Sequence, residues 1–177
     1  MAGLTYNGLA QSSNSELEAI FLKGVQPQPE QFAGYEFRGF NTPLFARLLG
    51  IQKFIKGMFR NREGQVEGYN IPVRQNGLEG PWEYKTTEPK RFGFYDVYPV
   101  RESERDRNYP NSTLLNYGSN KRNGLFDPWV LRDYMIQPDP ANPDLFIGKA
   151  YIRVGPICIP SNFFILERLS VTEWKPE

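Results

Sequence analysis

The chain has 177 residues, with 21 Lys and Arg against 20 Asp and Glu, a net charge of +1, one cysteine and no histidine. Such a balance gives no electrostatic pull toward nucleic acid or an anionic membrane surface. The missing histidine removes the usual base of a serine or cysteine triad, the usual zinc ligand and the commonest haem ligand, so no metal or cofactor is expected.

The length suits one domain over residues 1–177, able to bury roughly 70% of the surface its unfolded form exposes without a disulfide or metal staple. MAGLTYNGLAQSSNSE has no basic segment followed by an apolar run, and no apolar run approaches the roughly 18 residues of a membrane helix. The expected location is cytoplasmic, with no membrane span and no nucleic-acid partner; oligomeric state is not readable. Ten Tyr and thirteen Phe favour sheets and lined cavities over helical bundles.

Residues 1–13 read as a disordered or extended N-terminus. Ser13-Asn14-Ser15-Glu16 has capping-box spacing, Leu17, Ile20 and Phe21 share a helical face, and Gly24 stands where a C-terminal cap would, which predicts a helix over about residues 14–23. After Pro27 and Pro29, GYEFRGFN (34–41) reads as the first strand. PLFARLL (43–49) opens with a proline suited to a first helical turn and ends before Gly50, predicting a short helix. IQKFIKGMFR (51–60) mixes helical and alternating spacing; strand is the reading from Phe54 onward. The turn Asn61-Arg62-Glu63-Gly64 leads into QVEGYNIPV (65–73), whose Pro72 suits a strand end or an edge.

Glycine-rich punctuation around Trp82 and Tyr84 precedes a strand at 91–100, with Tyr95 and Val97 on one face and Phe94, Asp96 and Tyr98 on the other. RESERDRN (101–108) alternates in sign and reads as a solvated loop. A short strand at 113–117, a polar loop at 118–128 and a strand at 129–137 follow. Asp139, Asn142 and Asp144 offer oxygens, but the intervening prolines favour a turn over a calcium site.

LFIGKAYIRV (145–154) and ICIPSNFFILERL (157–169) flank Gly155-Pro156 and read as a long hairpin. Gly155 supplies a positive φ at the first position of a type II′ turn. With Val154 facing Ile157, unbroken register puts Gly148 opposite Phe163. Phe146, Ala150, Ile152, Phe163 and Ile165 then face the interior, with Lys149, Tyr151 and Arg153 outside. Cys158 reads as a small hydrophobe in mid-strand.

The pattern predicts a mainly β fold, an antiparallel up-and-down barrel of about 8–9 strands over residues 34–169 with a short N-terminal helix. Gly34, Tyr35 or Phe37 on the first strand and Arg168 on the last resemble the motif by which calycins, the lipocalin-like and fatty-acid-binding-like barrels, place a Gly-x-aromatic near a basic residue from the last strand. Tyr and Phe stand where Trp is typical. The resemblance implies a barrel closed between its first and last strands that carries a small hydrophobic ligand.

Arg38 and Arg132 lie within predicted strands and would suit an acidic group on such a ligand. Tyr69, Tyr95, Tyr117 and Tyr134 would supply hydroxyls, and Ile152 and Phe163 apolar wall. A tyrosine beside Glu36, Asp96, Asp133 or Glu167 could move protons without histidine, though no spacing motif selects a catalytic set. The alternatives to a carrier are therefore a histidine-free isomerase- or hydrolase-like enzyme in the same barrel, and a filled barrel acting as an interaction module.

Overall fold

The computed structural model describes residues 3–104, 108–124, 130–172 and 174, and only the backbone of residues 44 and 45. The expected loop at 101–108 and the expected loop-to-strand junction at 118–130 fall partly outside that set.

Eight antiparallel strands form a closed barrel in chain order: β1 (Tyr35–Asn41), β2 (Lys53–Arg60), β3 (Val66–Pro72), β4 (Phe92–Pro99), β5 (Thr113–Asn116), β6 (Leu131–Ile136), β7 (Leu145–Val154) and β8 (Ile157–Val171). The barrel closes by pairing β1 with β8, Arg38 opposite Glu167 and Gly39 opposite Leu166. At this seam the guanidinium of Arg168 lies 3.8 Å over the Tyr35 ring, the contact that the calycin resemblance implies. Arg168 also pairs with Asp144 at 2.9 Å and donates to the Gln31 carbonyl.

Among the described residues three short α-helices accompany the barrel, α1 (Tyr6–Gln11), α2 (Asn14–Phe21) and α3 (Leu44–Leu48), with a 3-10 turn at Pro29–Gln31. The capping box is formed, with Ser13 N–H donating to Glu16 at 2.8 Å and Glu16 N–H donating to the Ser13 hydroxyl at 3.3 Å. Helix α1 departs from the disordered or extended N-terminus expected. Thr5 caps it by accepting from Gly8 N–H, and its Tyr6, Leu9 and Ala10 are buried. Docking supplies what a six-residue helix lacks by itself.

Apolar side chains collect in two main bodies. Inside the barrel, Phe37, Met58, Tyr95, Met135, Phe146 and Leu166 pack together, and the end where β1 begins is plugged by Phe32, whose ring lies 4.8 Å from that of Phe146. Outside, α1 and α2 lay Tyr6, Leu9, Leu17 and Phe21 against Tyr134, Ile147, Phe163 and Ile165 on the barrel wall. A smaller outer cluster joins Ile55, Phe59, Tyr69, Ile71 and Val73 beneath Trp82 and Trp174.

The hairpin corrects the expected register. Its tip is as predicted, with Gly155 at φ +59° and Val154 opposite Ile157. Between Ala150 and Tyr151 the pairing slips, so that Ala150 faces Asn162 but Tyr151 faces Pro160. One extra residue on β8 reverses every side chain beyond it. Pro160 has no N–H for the ladder, a reason for the break to fall there. Gly148 consequently sits opposite Phe164, whose ring occupies the space of a Cβ, and Phe163 and Ile165 face the helices instead of the interior.

Candidate functional site

Within the apolar interior, among the described residues, lies a polar group brought together by β2, β3, β6 and the residue that follows β5. Lys56 follows the inward alternation Phe54, Lys56, Met58, and register places it across from Asn70. Its ammonium donates to Asn70 Oδ1 at 2.9 Å and to the Tyr117 hydroxyl at 2.5 Å, and lies 3.2 Å from Asp133 Oδ2. Its three protons therefore have three partners. Tyr117 in turn donates to Asp133 Oδ2 at 3.2 Å, and Asn70 donates to the Gly93 carbonyl at 2.9 Å. The Tyr95 ring lies 4.6 Å below the ammonium.

The Lys56 and Asp133 side chains are only 3% and 4% exposed. Burial therefore pushes the lysine below its ordinary range against the pull of Asp133, and lifts the aspartate above its own against the pull of Lys56. Burial also holds the Tyr95 and Tyr117 phenols well above theirs, so Tyr117 remains a donor. Every N–H of Lys56 is engaged, whereas Asp133 Oδ1 is buried with no hydrogen-bond partner among the described residues. Chemically, that oxygen is the position at which the network can accept a further hydrogen bond.

The other sequence-predicted residues separate by face. Tyr95 and Tyr117 belong to the interior group, and Ile152 lies one inward position beyond Ala150 toward the hairpin tip, 37% exposed. Arg38 and Arg132 do not point inward. Arg38 is ion-paired to Glu167 and covered by the Tyr6 ring at 4.3 Å, and Arg132 pairs with Glu104 at 2.5 Å. Tyr69 lies outside, donating to Glu36 at 2.9 Å, and burial lifts its phenol to about 12. Tyr134 and Phe163 lie under the helices. Of the four strand carboxylates, Asp133 enters the barrel while Glu36 receives the Tyr69 and Tyr84 hydroxyls on the outer wall. Lys149 faces out as expected, bonded to Glu18 and Tyr109.

Lys56 and Asn70 were not among the expected contacts. The usable cue was a lysine flanked two residues either side by Phe54 and Met58, which places a cation on an otherwise apolar strand face.

The inward face of the hairpin continues past the barrel as an apolar strip. Ile152 pairs with Ile159 and Val154 with Ile157, exposed by 37, 51, 59 and 61% for Ile152, Ile159, Val154 and Ile157. Leu48, Leu49 and Ile51, also exposed, belong to α3 and the connection after it at the same end of the barrel.

A scan of the chain against protein-family models found no match, and a search among curated proteins likewise found none. The eight-stranded closed antiparallel barrel is compatible with a calycin-like fold.

Proposed function

We propose that the barrel binds a small, largely apolar molecule bearing one hydrogen-bond donor, entering from the end where the β7–β8 hairpin projects. Asp133 carries this reading: a carboxylate oxygen buried inside the barrel and lacking a donor among the described residues invites one from a ligand, because an unpaired buried acceptor costs about 1–3 kcal/mol. The route to it is apolar, from the strip at Ile152 and Ile159 past the half-buried Leu131 and Phe54, whose side chains must turn aside to admit a ligand. Tyr95, Tyr117 and Ile152 are the contacts this reading keeps. Arg38, Tyr69, Arg132, Tyr134 and Phe163, engaged on the outer wall, drop out.

The tightly packed interior and the exposed strip also favour the filled-barrel interaction module, and one experiment separates the two. N-phenylnaphthylamine, a neutral dye with one N–H, is titrated into the protein while amide shifts of Asp133, Ala150 and Ile152 are followed. Saturable fluorescence enhancement with shifts at Asp133 and Ala150, lost in Ile152→Glu, is the expected result. Shifts confined to the strip, or no saturable binding, would overturn the carrier reading. Native mass spectrometry of the purified chain should also show a retained small molecule.

A further inference from the structure

The outer wall carries a pocket of about 500 Å³ that the proposed carrier function does not use, lined by Glu30, Phe59, Arg60, Arg62, Arg122 and Trp174. Its cations come from separate pieces of chain. Arg60 ends β2, Arg62 sits in the β2–β3 turn, and Arg122 reaches in from the β5–β6 connection. Gly34, also on its wall, has φ +90°, and a Cβ built there meets nothing within 4 Å, so the space beside it is open.

The three guanidinium groups are committed to different degrees. Arg122 bonds Glu67 at 3.0 Å and lies 5.7 Å over the Phe59 ring. Arg60 donates to the Gly64 carbonyl at 2.6 Å but stands 3.9 Å from Glu30, a loose pair with side chains 48% and 65% exposed. Arg62 is exposed and has no ion pair or hydrogen bond among the described residues. Pairs as open and long as Arg60–Glu30 are worth little, so an anion can replace Glu30 at small cost. Beside these cations, Trp174 is half-buried, its ring 4.8 Å edge-on from that of Phe59.

We infer that this pocket binds a small planar ring compound carrying a phosphate, of the mononucleotide kind, with the phosphate on Arg60 and Arg62 and the ring against the Trp174 side. Guanidinium forks match phosphate oxygens, a phosphate monoester carries about −1.5 to −2 charge, and aromatic walls take planar rings of any base. The site is independent of the barrel interior.

The test titrates adenosine monophosphate, adenosine and inorganic phosphate into the full chain, following the Trp174 indole resonance. Adenosine monophosphate should bind at least about tenfold more tightly than either half alone, since both walls are used together. Arg62→Ala should weaken it about two- to fivefold, the value of one exposed charge pair. Glu30→Gln should tighten it by removing the competing carboxylate. Both substitutions lie on exposed side chains, and unchanged thermal midpoints confirm the fold. Equal binding of phosphate and the mononucleotide, no shift at Trp174, indifference to Arg62→Ala or weakening by Glu30→Gln would each overturn the assignment.

Discussion

Replacing Lys56 by methionine tests the buried network most directly. The substitution keeps an unbranched side chain of similar length and removes the ammonium, leaving the Asp133 carboxylate 4% exposed with only the Tyr117 hydroxyl on Oδ2. Breaking a buried pair on one side costs about 3–5 kcal/mol, a large share of a typical 5–15 kcal/mol total. In a chain of this size that lowers the thermal midpoint by roughly 6–20 °C. Asp133→Leu alone should cost a similar amount, and the double variant much less than the sum, because no charge is then stranded. Urea unfolding of all four proteins gives the coupling. The pH dependence carries a sign. Burial raises the folded pKa of Asp133 above its ordinary 3.8, and losing Lys56 raises it further. Lys56→Met should therefore be penalised most near neutrality and recover stability as pH falls toward the unfolded carboxyl value, where both states hold the proton. Single variants that each cost under about 1 kcal/mol and add independently would refute the buried pairing across β2 and β6.

Two further outcomes probe the register and the N-terminal cap. Gly148→Ala should destabilise the protein by about 1–3 kcal/mol through collision with the Phe164 ring, and Phe164→Leu in the same chain should recover part of that loss; recovery from Phe163→Leu instead would restore the unslipped register. The Glu16 carboxyl is held below its ordinary 4.5 by the hydroxyl and backbone N–H of Ser13. Its stabilising effect is thus full above that value and is lost as pH falls through the lower folded one, which an acid titration of the Ser13 amide shift should show. A Glu16 midpoint at or above 4.5 would contradict the cap.

Most strands were readable because period-two alternation and Gly or Pro punctuation are local properties. Gly155-Pro156 set the tip pairing, while Gly34, Tyr35 and Arg168 marked the seam only through the resemblance to calycin barrels. The slip at Pro160 was not readable, since a strand tolerates an extra residue wherever its two neighbours allow, and the expected faces of Phe163 and Ile165 inverted with it. Arg38 and Arg132 illustrate the same limit: alternation assigns sides only relative to a core, and here both faces of several strands are covered. Tyr134, Ile147 and Ile165 are as buried outside the barrel as Met58 and Leu166 within it. Helix α1 depends on that outer cover, so its short Gly-containing segment carried only the Thr5 cap as a local sign.

The outer layer also orders events during synthesis. Tyr6, Leu9, Leu17 and Phe21 leave the ribosome well before the wall they cover, which is built from β6, β7 and β8, more than a hundred positions later. Glu18 meets Lys149 and Arg38 meets Glu167 across similar separations. Until the last hairpin emerges, these early apolar residues have no native surface to join, and the first strand has no closing neighbour. While the intervening residues are made, the nascent chain accordingly carries sticky segments uncovered, the circumstance in which holding chaperones act and in which a stalled product aggregates.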